Sequence, residues 1–441
     1  MVDTTQAAGA SRPLAAADAK PPARLRAAIQ ALEIDTRLIG MVIALAVIWI
    51  GFHIFSGGVF LTPRNLWNLS VQTSSVAVMA TGMVLVIVSR NIDLSVGSVL
   101  GFIGMVMAAV QVEILPHYVG FDWPFTWIIT LAVGIAVGAI IGAVQGGVVA
   151  YLGVPAFIVT LGGLLVWRGA AWWVAQGRTI APLDTNFQRI GGGAHGSIGG
   201  VASWIVGVIA CLGIVALIMN GRRQRRRFHF PLRPVWAELG LAVVGCALVL
   251  GAVAVINAYP LPIGLAREYA VQNNIEWPEG GIFISLGIAV PVLIALGAGI
   301  VMTFIATRTR FGRYIFAIGG NPEAAELAGV NTRWIILKVF VVMGMLCGIS
   351  AAISTARLNA GTNSLGTLDE LYTIAAAVIG GASLAGGIGT VAGAILGALV
   401  TQSLQSGMVL IGIPSPLQNI VVGGVLVLAV WLDQVYRRRT G

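Results

Sequence analysis

Long apolar runs separated by short polar segments dominate this chain of 441 residues. A membrane-spanning helix needs roughly 20 consecutive apolar residues. That requirement predicts spans near residues 38–57, 70–89, 94–112, 126–150, 156–176, 199–219, 236–257, 283–305, 335–356 and 415–432. Glycines interrupt the apolar run 371–405, which favours two short or broken helices there. The pattern predicts an all-α polytopic membrane protein with about 10–12 transmembrane elements.

Composition excludes a soluble domain, because 57% of the residues are hydrophobic, 10% are charged and the mean hydropathy is +0.92. The 58 glycines fit helices that pack closely through small residues. Residues 1–37 carry no apolar core, so we predict a flexible cytoplasmic tail followed by a transmembrane domain over 38–441. The three cysteines lie inside apolar runs, and neither a disulfide framework nor a metal site is predicted.

Arginine sets the predicted orientation, since only two lysines occur in the chain. Arginine-rich segments at 222–233 and 308–333, together with both chain ends, belong in the cytoplasm by the positive-inside rule. The loops 113–125 and 258–282 are mostly acidic and are placed outside. The net charge of +9 therefore indicates topology rather than binding of nucleic acid.

Several function classes are disfavoured by what the apolar runs contain. An ion-coupled carrier usually keeps a carboxylate deep in the bilayer, whereas the acidic residues here occupy tails, loops and span ends. Those nearest the membrane, each at the start of an apolar run, are Asp93, Glu238, Asp369 and Glu370. No catalytic residues are predicted, because the sequence has neither an HExxH nor a Gly-x-Ser-x-Gly arrangement. It also has no GxxxxGK[ST] phosphate-binding loop, so ATP hydrolysis would require another subunit.

A short polar helix is predicted within the arginine-rich loop 306–334. Asn321 is a favourable N-cap, Pro322 suits the first helical position, and Gly329 supplies a stop. About two helical turns are too short to be stable alone, which suggests a partner surface. An ordinary well-capped loop between spans is the alternative. The residues expected to contact the partner are Arg313, Asn321, Pro322, Glu323, Ala324, Ala325 and Gly329.

The spacing Glu323-Ala324-Ala325-x-x-x-Gly329 resembles the EAA motif of ABC-importer permeases, whose short cytoplasmic helix sits in a cleft of the ATPase subunit. The surrounding run 312–325 is similar to the ribose/xylose/galactose branch of that family. Three further stretches resemble the same branch, at 91–98, at 160–178 and at 379–390. Their signature residues are Asp93, Ser95, Gly97, Ser98, Arg168, Gly380, Gly381, Gly386 and Gly387. The Leu-Pro that follows the motif in many other importers is absent after Gly329.

The resemblance implies a bacterial inner-membrane permease subunit that is not itself an enzyme and binds no cofactor. It would act as a homodimer with two ATP-binding cytoplasmic ATPase subunits and a periplasmic sugar-binding protein. Region 190–282 adds two spans and an outer loop, an insertion that resembles the xylose permeases, so xylose is the leading substrate. Ribose, galactose or another small polar solute remains open, and so does a stand-alone facilitator or ion-coupled carrier.

An internal echo between residues 96–101 and 388–393 predicts two pseudo-repeated halves, although any two glycine-rich helices can match over six positions. Asp93 and Ser95 are expected to cap the helix that begins there rather than to contact sugar. Arg168 is expected to extend to the outer interface among neighbouring tryptophans.

Polar residues within the spans are candidates for a translocation path. They are Gln72, Thr73, Ser75, Gln145, Asn359, Thr362 and Asn363. Such side chains more often bond neighbouring helices than substrate, which is the alternative for each of them.

Overall fold

The computed structural model describes residues 36–440 apart from Ala194 and Glu279, so the predicted tail lies almost wholly outside the described residues. The first helices are α1 Thr36–Phe55, α2 Pro63–Val88, α3 Val96–Ala109, α4 Pro116–Val119, α5 Thr126–Tyr151, α6 Ala156–Ala175, α7 Thr185–Gln188, α8 Gly200–Arg227 and α9 Val235–Asn257. The others are α10 Ile263–Gln272, α11 Val290–Arg308, α12 Arg310–Gly320, α13 Pro322–Leu327, α14 Thr332–Leu358, α15 Asp369–Ile379, α16 Val391–Leu410 and α17 Ser415–Thr440. Extended segments in this part of the chain form only isolated bridges.

Ten helices are long and apolar enough to cross a membrane, counting only the residues that the structure describes. The predicted all-α membrane fold is thereby confirmed, and so is the break in 371–405, where residues 380–390 separate α15 from α16. One predicted span begins too early. Residues 283–289 are apolar but extended, and they bridge to 197–199 and to Pro260 before α11 starts.

The loops gather at two ends of the helix bundle. The "arginine-rich end" carries the loops 89–95, 228–234, 309–331 and 380–390, where the Arg90 side chain bonds to Gly319. The "loop-rich end" carries 110–125, 176–199 and 258–289, where Gly199 bridges to Gly287. Consecutive spans therefore run in alternating directions between the two ends.

A stripe of glycines on α5 allows close approach to α14. A Cβ atom at Gly138 would lie against the carbonyl oxygen of Gly344, and one at Gly142 against that of Phe340. A Cβ at Gly348 would in turn approach the Gly134 carbonyl oxygen to 2.6 Å. The backbones of the two helices are thus in direct contact, as the high glycine content predicts.

Helix α2 is the buried centre of the bundle and packs against α11, α14, α15 and α16. Helices α8 and α9 pack mainly against each other, and α9 contacts the bundle at α2. Most of their apolar side chains are exposed, as expected for helices that face lipid. Within region 190–282, α8 and α9 therefore form a peripheral hairpin of two spans, which is followed by α10.

Candidate functional site

Helix α13 projects from the arginine-rich end and has the predicted caps. The Asn321 Oδ1 atom accepts a hydrogen bond from the Ala324 N–H at 3.0 Å, and Pro322 is the first helical residue. Gly329 takes the left-handed conformation at φ +83° and ends the segment. Ala325 is buried and faces the bundle. The predicted local structure of 321–329 is confirmed.

The opposite face of α13 is open. Glu323, Ala324 and Glu326 are exposed, and Leu327 is 91% exposed. The face that the bundle leaves uncovered therefore presents two carboxylates, an alanine and a leucine. Arg313 lies on α12, and its Nη1 donates to the carbonyl of Arg308 at the end of α11 at 3.5 Å.

Arg90 connects the end of α2 to the end of α12. Its Nε donates to the Gly319 carbonyl at 2.8 Å and its Nη2 to the Gly320 carbonyl at 2.7 Å. These two carbonyls lie at the C-terminus of α12, the helix that leads directly into α13. Because the guanidinium is charged, both bonds belong to the stronger class of hydrogen bond. Sequence reasoning missed Arg90, whose only signal was its position just before the 91–98 motif.

The glycine-rich signature in 380–390 packs against the ends of α2 and α12. The Gly387 N–H donates to the Val88 carbonyl at 2.9 Å. Gly386 and Gly387 have φ of +87° and +76°, and a Cβ at Gly319 would lie against Val88 O and Gly387 N. We call the assembly of residues 88–90, 319–320 and 386–387 the coupling junction. The signature residues Gly380 and Gly381 lie in the same loop, where a Cβ at Gly380 would meet the backbone of Gly393.

Asp93 and Ser95 fix the turn before α3, but they do not cap that helix as predicted. The Asp93 Oδ1 atom accepts from the Ser95 N–H at 2.9 Å and lies 2.6 Å from the Ser95 Oγ. The same hydroxyl lies 3.0 Å from the Gln145 Oε1, and no first-turn N–H of α3 bonds to the Ser95 side chain. The Ser95 hydroxyl bonds to Asp93 and Gln145, so it does not cap α3. The Gln145 side chain therefore contacts this turn.

Arg168 points into the protein, which corrects the prediction that it reaches the outer interface. Its Nη1 donates to the carbonyls of Asn363 and Leu365 at 3.1 and 2.9 Å. Those carbonyls belong to the irregular segment 359–368, which lies along α3. Unpaired backbone carbonyls at membrane depth are costly, and the guanidinium satisfies two of them.

Gly97 and Gly101 permit this approach of 359–368 to α3. A Cβ at Gly97 would lie against the Gly366 carbonyl and the Glu370 side chain, and one at Gly101 would lie 2.5 Å from the Leu365 carbonyl. Ser98 is buried on the same helix, and its hydroxyl has no partner among the described residues. The 91–98 motif thus accommodates the broken segment that precedes α15.

Two adjoining cavities of about 680 and 380 Å³ enter the bundle beside α2. The first, on the side of the loop-rich end, is lined by Arg189, His195 and Asn359 among others. The second is lined by Ser75 and Asp369 among others. We call the first cavity the outer part and the second the inner part. Both share the lining residues Asn68, Val71, Gln72 and Arg357. Together we call them the polar cavity, whose size suits a small solute.

The polar cavity contains some of the predicted path residues and not others. Gln72 lines both parts, Ser75 the inner part and Asn359 the outer part. Thr73 instead bonds to the Leu69 carbonyl on its own helix. Gln145, Thr362 and Asn363 are likewise absent from the lining of either part.

Other lining residues were missed. The polar ones are Asn65, Asn68, Thr185, Gln188, Arg189, His195, Ser354, Arg357, Asp369, Gln402, Gln405 and Ser406. Amides within the otherwise apolar α16 were the available signal for Gln402 and Gln405. The expectation that acidic residues stay at span ends is wrong for Asp369, because the irregular segment before it carries it into the bundle.

The loop 183–193 forms the outer rim of the polar cavity. The Asp184 Oδ1 accepts from the Phe187 N–H at 2.9 Å, and the Asp184 N–H donates to the Gln111 Oε1 at 3.1 Å. The neighbouring Asp122 Oδ1 accepts from the Thr185 N–H at 2.9 Å. Burial raises the pKa of Asp184, and the Asp122 carboxylate adds to that shift against the bond from Phe187.

Among the described residues, no group of three or more His, Cys, Asp or Glu side chains could hold a metal ion. The structure instead places amide, hydroxyl and charged groups around one cavity, and a capped helix with an exposed face at the arginine-rich end. Helix α13 follows directly on the end of α12 that Arg90 bonds, and Ala325 also packs against the bundle. Such a combination suits transport driven by a partner.

Comparisons with known proteins agree with this arrangement. The family described as branched-chain amino acid transport system / permease component matches residues 65–430. The xylose transport system permease protein XylH of Haemophilus influenzae is 39% identical over 90% of this chain and 96% of its own length. The protein of the same name from Escherichia coli K12 is 36% identical over 92% and 94%, respectively.

The ribose import permease protein RbsC of Escherichia coli K12 is 31% identical over 85% of this chain and 87% of its own. No solved structure gives a significant match. Ten apolar helices within the described part of the chain and the permease relatives together indicate a multi-pass inner-membrane protein. This chain belongs to the family of transport-system permease components that includes these sugar permeases.

Proposed function

We propose that this chain is the membrane permease of a binding-protein-dependent ABC importer that moves a monosaccharide into the cytoplasm, with D-xylose as the leading candidate. Similarity to xylose permeases over nine-tenths of the chain supports the choice of sugar. Ribose and allose are alternative substrates, because two relatives are named for ribose import and for D-allose transport.

The observation that carries the proposal is the open face of α13. An 11-residue amphipathic α12 and the capped α13 extend from the arginine-rich end, and Leu327 is left 91% exposed beside Glu323. The positive-inside rule assigns this end to the cytoplasm. We infer that an ATPase subunit docks on α13 and that its movement reaches the spans through the coupling junction.

The lining of the polar cavity supports a neutral, hydroxyl-rich cargo. Asn68, Gln72, Gln402 and Gln405 each offer both a donor and an acceptor, which are the groups that sugar hydroxyls require. The cavity opens towards the loop-rich end, where a periplasmic binding protein would deliver its sugar. In this scheme two copies of the chain act with two ATPases, and alternating access exposes the cavity to each side in turn.

Region 190–282 is inferred to be an insertion into a two-halved permease, whose halves are related by the echo between 96–101 and 388–393. The peripheral packing of α8 and α9 supports that inference, because the rest of the bundle packs around α2 with little contribution from them.

The first test is affinity purification of the tagged chain from its native membrane in mild detergent. We expect an ATPase with a phosphate-binding loop to co-purify, and we expect Glu323→Lys to abolish its recovery because the reversed charge lies on the exposed docking face. Glu276→Lys is the control, since it makes the same reversal on an exposed residue of the loop-rich end.

Recovery of the chain alone from several gentle detergents would oppose the proposal. The carboxylate of Asp369 in the polar cavity favours one rival, an ion-coupled carrier that works without an ATPase. Liposomes that contain only this chain distinguish the two. Solute uptake driven by an ion gradient in the absence of ATP would establish the rival.

A further inference from the structure

Arg357 and Asp369 face the polar cavity with charged side chains that no protein group neutralises by direct contact. Arg357 lies in the last turn of α14 and lines both parts of the cavity, and Asp369 begins α15 and lines the inner part. Within the described residues, neither side chain forms an ion pair or a hydrogen bond. They are still close enough to interact electrostatically.

Two other charged groups close to this pair are engaged elsewhere. Arg168 donates to two backbone carbonyls of the segment 359–368. Glu370 lies against α3 at Gly97, outside the lining of the cavity. The inner cavity wall therefore presents one positive and one negative group. A charged group within a membrane protein is expensive and is usually paired or functional.

The two groups have complementary hydrogen-bonding chemistry. A guanidinium only donates and a carboxylate only accepts, and each can engage two atoms at once. Neighbouring hydroxyls of one sugar both accept and donate, so a single neutral polyol can satisfy both groups. A cation would be repelled by Arg357 and Arg189, which both line the outer part.

We propose that Arg357 and Asp369 together bind the hydroxyl groups of the solute in the inner part of the polar cavity, which both residues line, and that this pair determines which sugars the permease accepts. The inference rests on the proposed function and specifies its substrate contact. The pair flanks the segment 358–368, so a change in that segment alters the separation of the two groups.

The experiment uses proteoliposomes that contain this chain with its co-purified ATPase and binding protein. ATP-dependent uptake of D-xylose and of 3-deoxy-D-xylose is measured at saturating binding protein, together with ATP hydrolysis. The variants are Arg357→Gln and Asp369→Asn. Arg178→Gln is the control, because Arg178 lies at the same end but pairs with Glu113 at the surface.

We expect each variant to lower D-xylose uptake by about tenfold or more, the usual effect of losing hydrogen bonds to a charged group. We expect uptake of 3-deoxy-D-xylose to fall less in each variant. ATP hydrolysis at saturating binding protein is retained. The binding protein's own preference cancels, since it is the same throughout. Arg357→Lys, which keeps the charge but loses the fork, gives an intermediate uptake.

Unchanged uptake in both variants would overturn the assignment. An equal loss for both sugars would also overturn it, because a purely structural role lowers uptake without changing selectivity. If the unmodified chain shows no ATP-dependent uptake at all, the proposed function itself fails and this inference fails with it. That result is separate, since it appears before any variant is compared.

Discussion

The contact between α5 and α14 makes a direct prediction about stability. Gly138→Ala places a methyl group against the carbonyl oxygen of Gly344. The matched control is Gly147→Ala, about two and a half turns further along the same helix, where an added Cβ meets nothing within 4 Å. Both changes gain the same helix propensity, so their difference isolates the steric cost.

The steric cost follows from what the methyl group meets. At Gly138 the obstacle is backbone, which cannot rotate away as a side chain would. Overpacking in a well-packed interior typically costs about 1–3 kcal/mol. We therefore expect Gly138→Ala to be about 1–3 kcal/mol less stable than Gly147→Ala, and Gly147→Ala to be at least as stable as the unmodified protein.

The assay can use the buried Cys347 on α14 as its reporter. Cys211 and Cys246 lie on the peripheral hairpin and are replaced by serine, which leaves one thiol in the 441-residue chain. Labelling of that thiol by a fluorogenic maleimide during heating in mild detergent gives the melting temperature. Equal melting temperatures for Gly138→Ala and Gly147→Ala would refute the close backbone contact.

Three further predictions follow from the site. Arg90→Met removes both bonds to the end of α12, and in reconstituted importer we expect about tenfold less solute moved per ATP hydrolysed; an unchanged ratio would contradict this. Arg168→Met frees two carbonyls, so amide exchange in 359–368 should rise about tenfold or more while α5 is unaffected; a rise spread evenly over the chain would argue against it. Because the pKa of Asp184 is raised, its contribution to stability is present at low pH and is lost as the pH rises through that pKa. Asp184→Asn should flatten this dependence of the melting temperature on pH, and parallel profiles for the two proteins would count against the reasoning.

Features that depend on neighbouring residues were predictable from the sequence. The spans follow from apolar length, and the caps of α13 follow from Asn321 and Gly329, whose partners lie within a few positions. The start of α11 was misplaced because apolarity does not distinguish helix from extended chain. Residues 283–289 are apolar and buried in part, but pairing with 197–199 holds them extended.

Contacts between distant residues gave no local signal. Arg168 has tryptophan neighbours that suggest an interface, yet its carbonyl partner in Asn363 lies 195 positions away. The Arg90 bond to Gly319 spans 229 positions. Arg357 and Asp369 meet in one cavity only because the chain between them breaks and returns into the bundle. A sequence supplies the residue types for such a site, but not their juxtaposition.

The coupling junction consists largely of main-chain atoms, and this determines its mechanical character. A contact between long side chains can absorb a small displacement by changing rotamer, whereas Gly319, Gly387 and Val88 meet through their backbones. The junction is therefore stiff. Only the Arg90 side chain can yield by changing rotamer, so we expect most of a small shift of α13 to reach the broken segment 380–390.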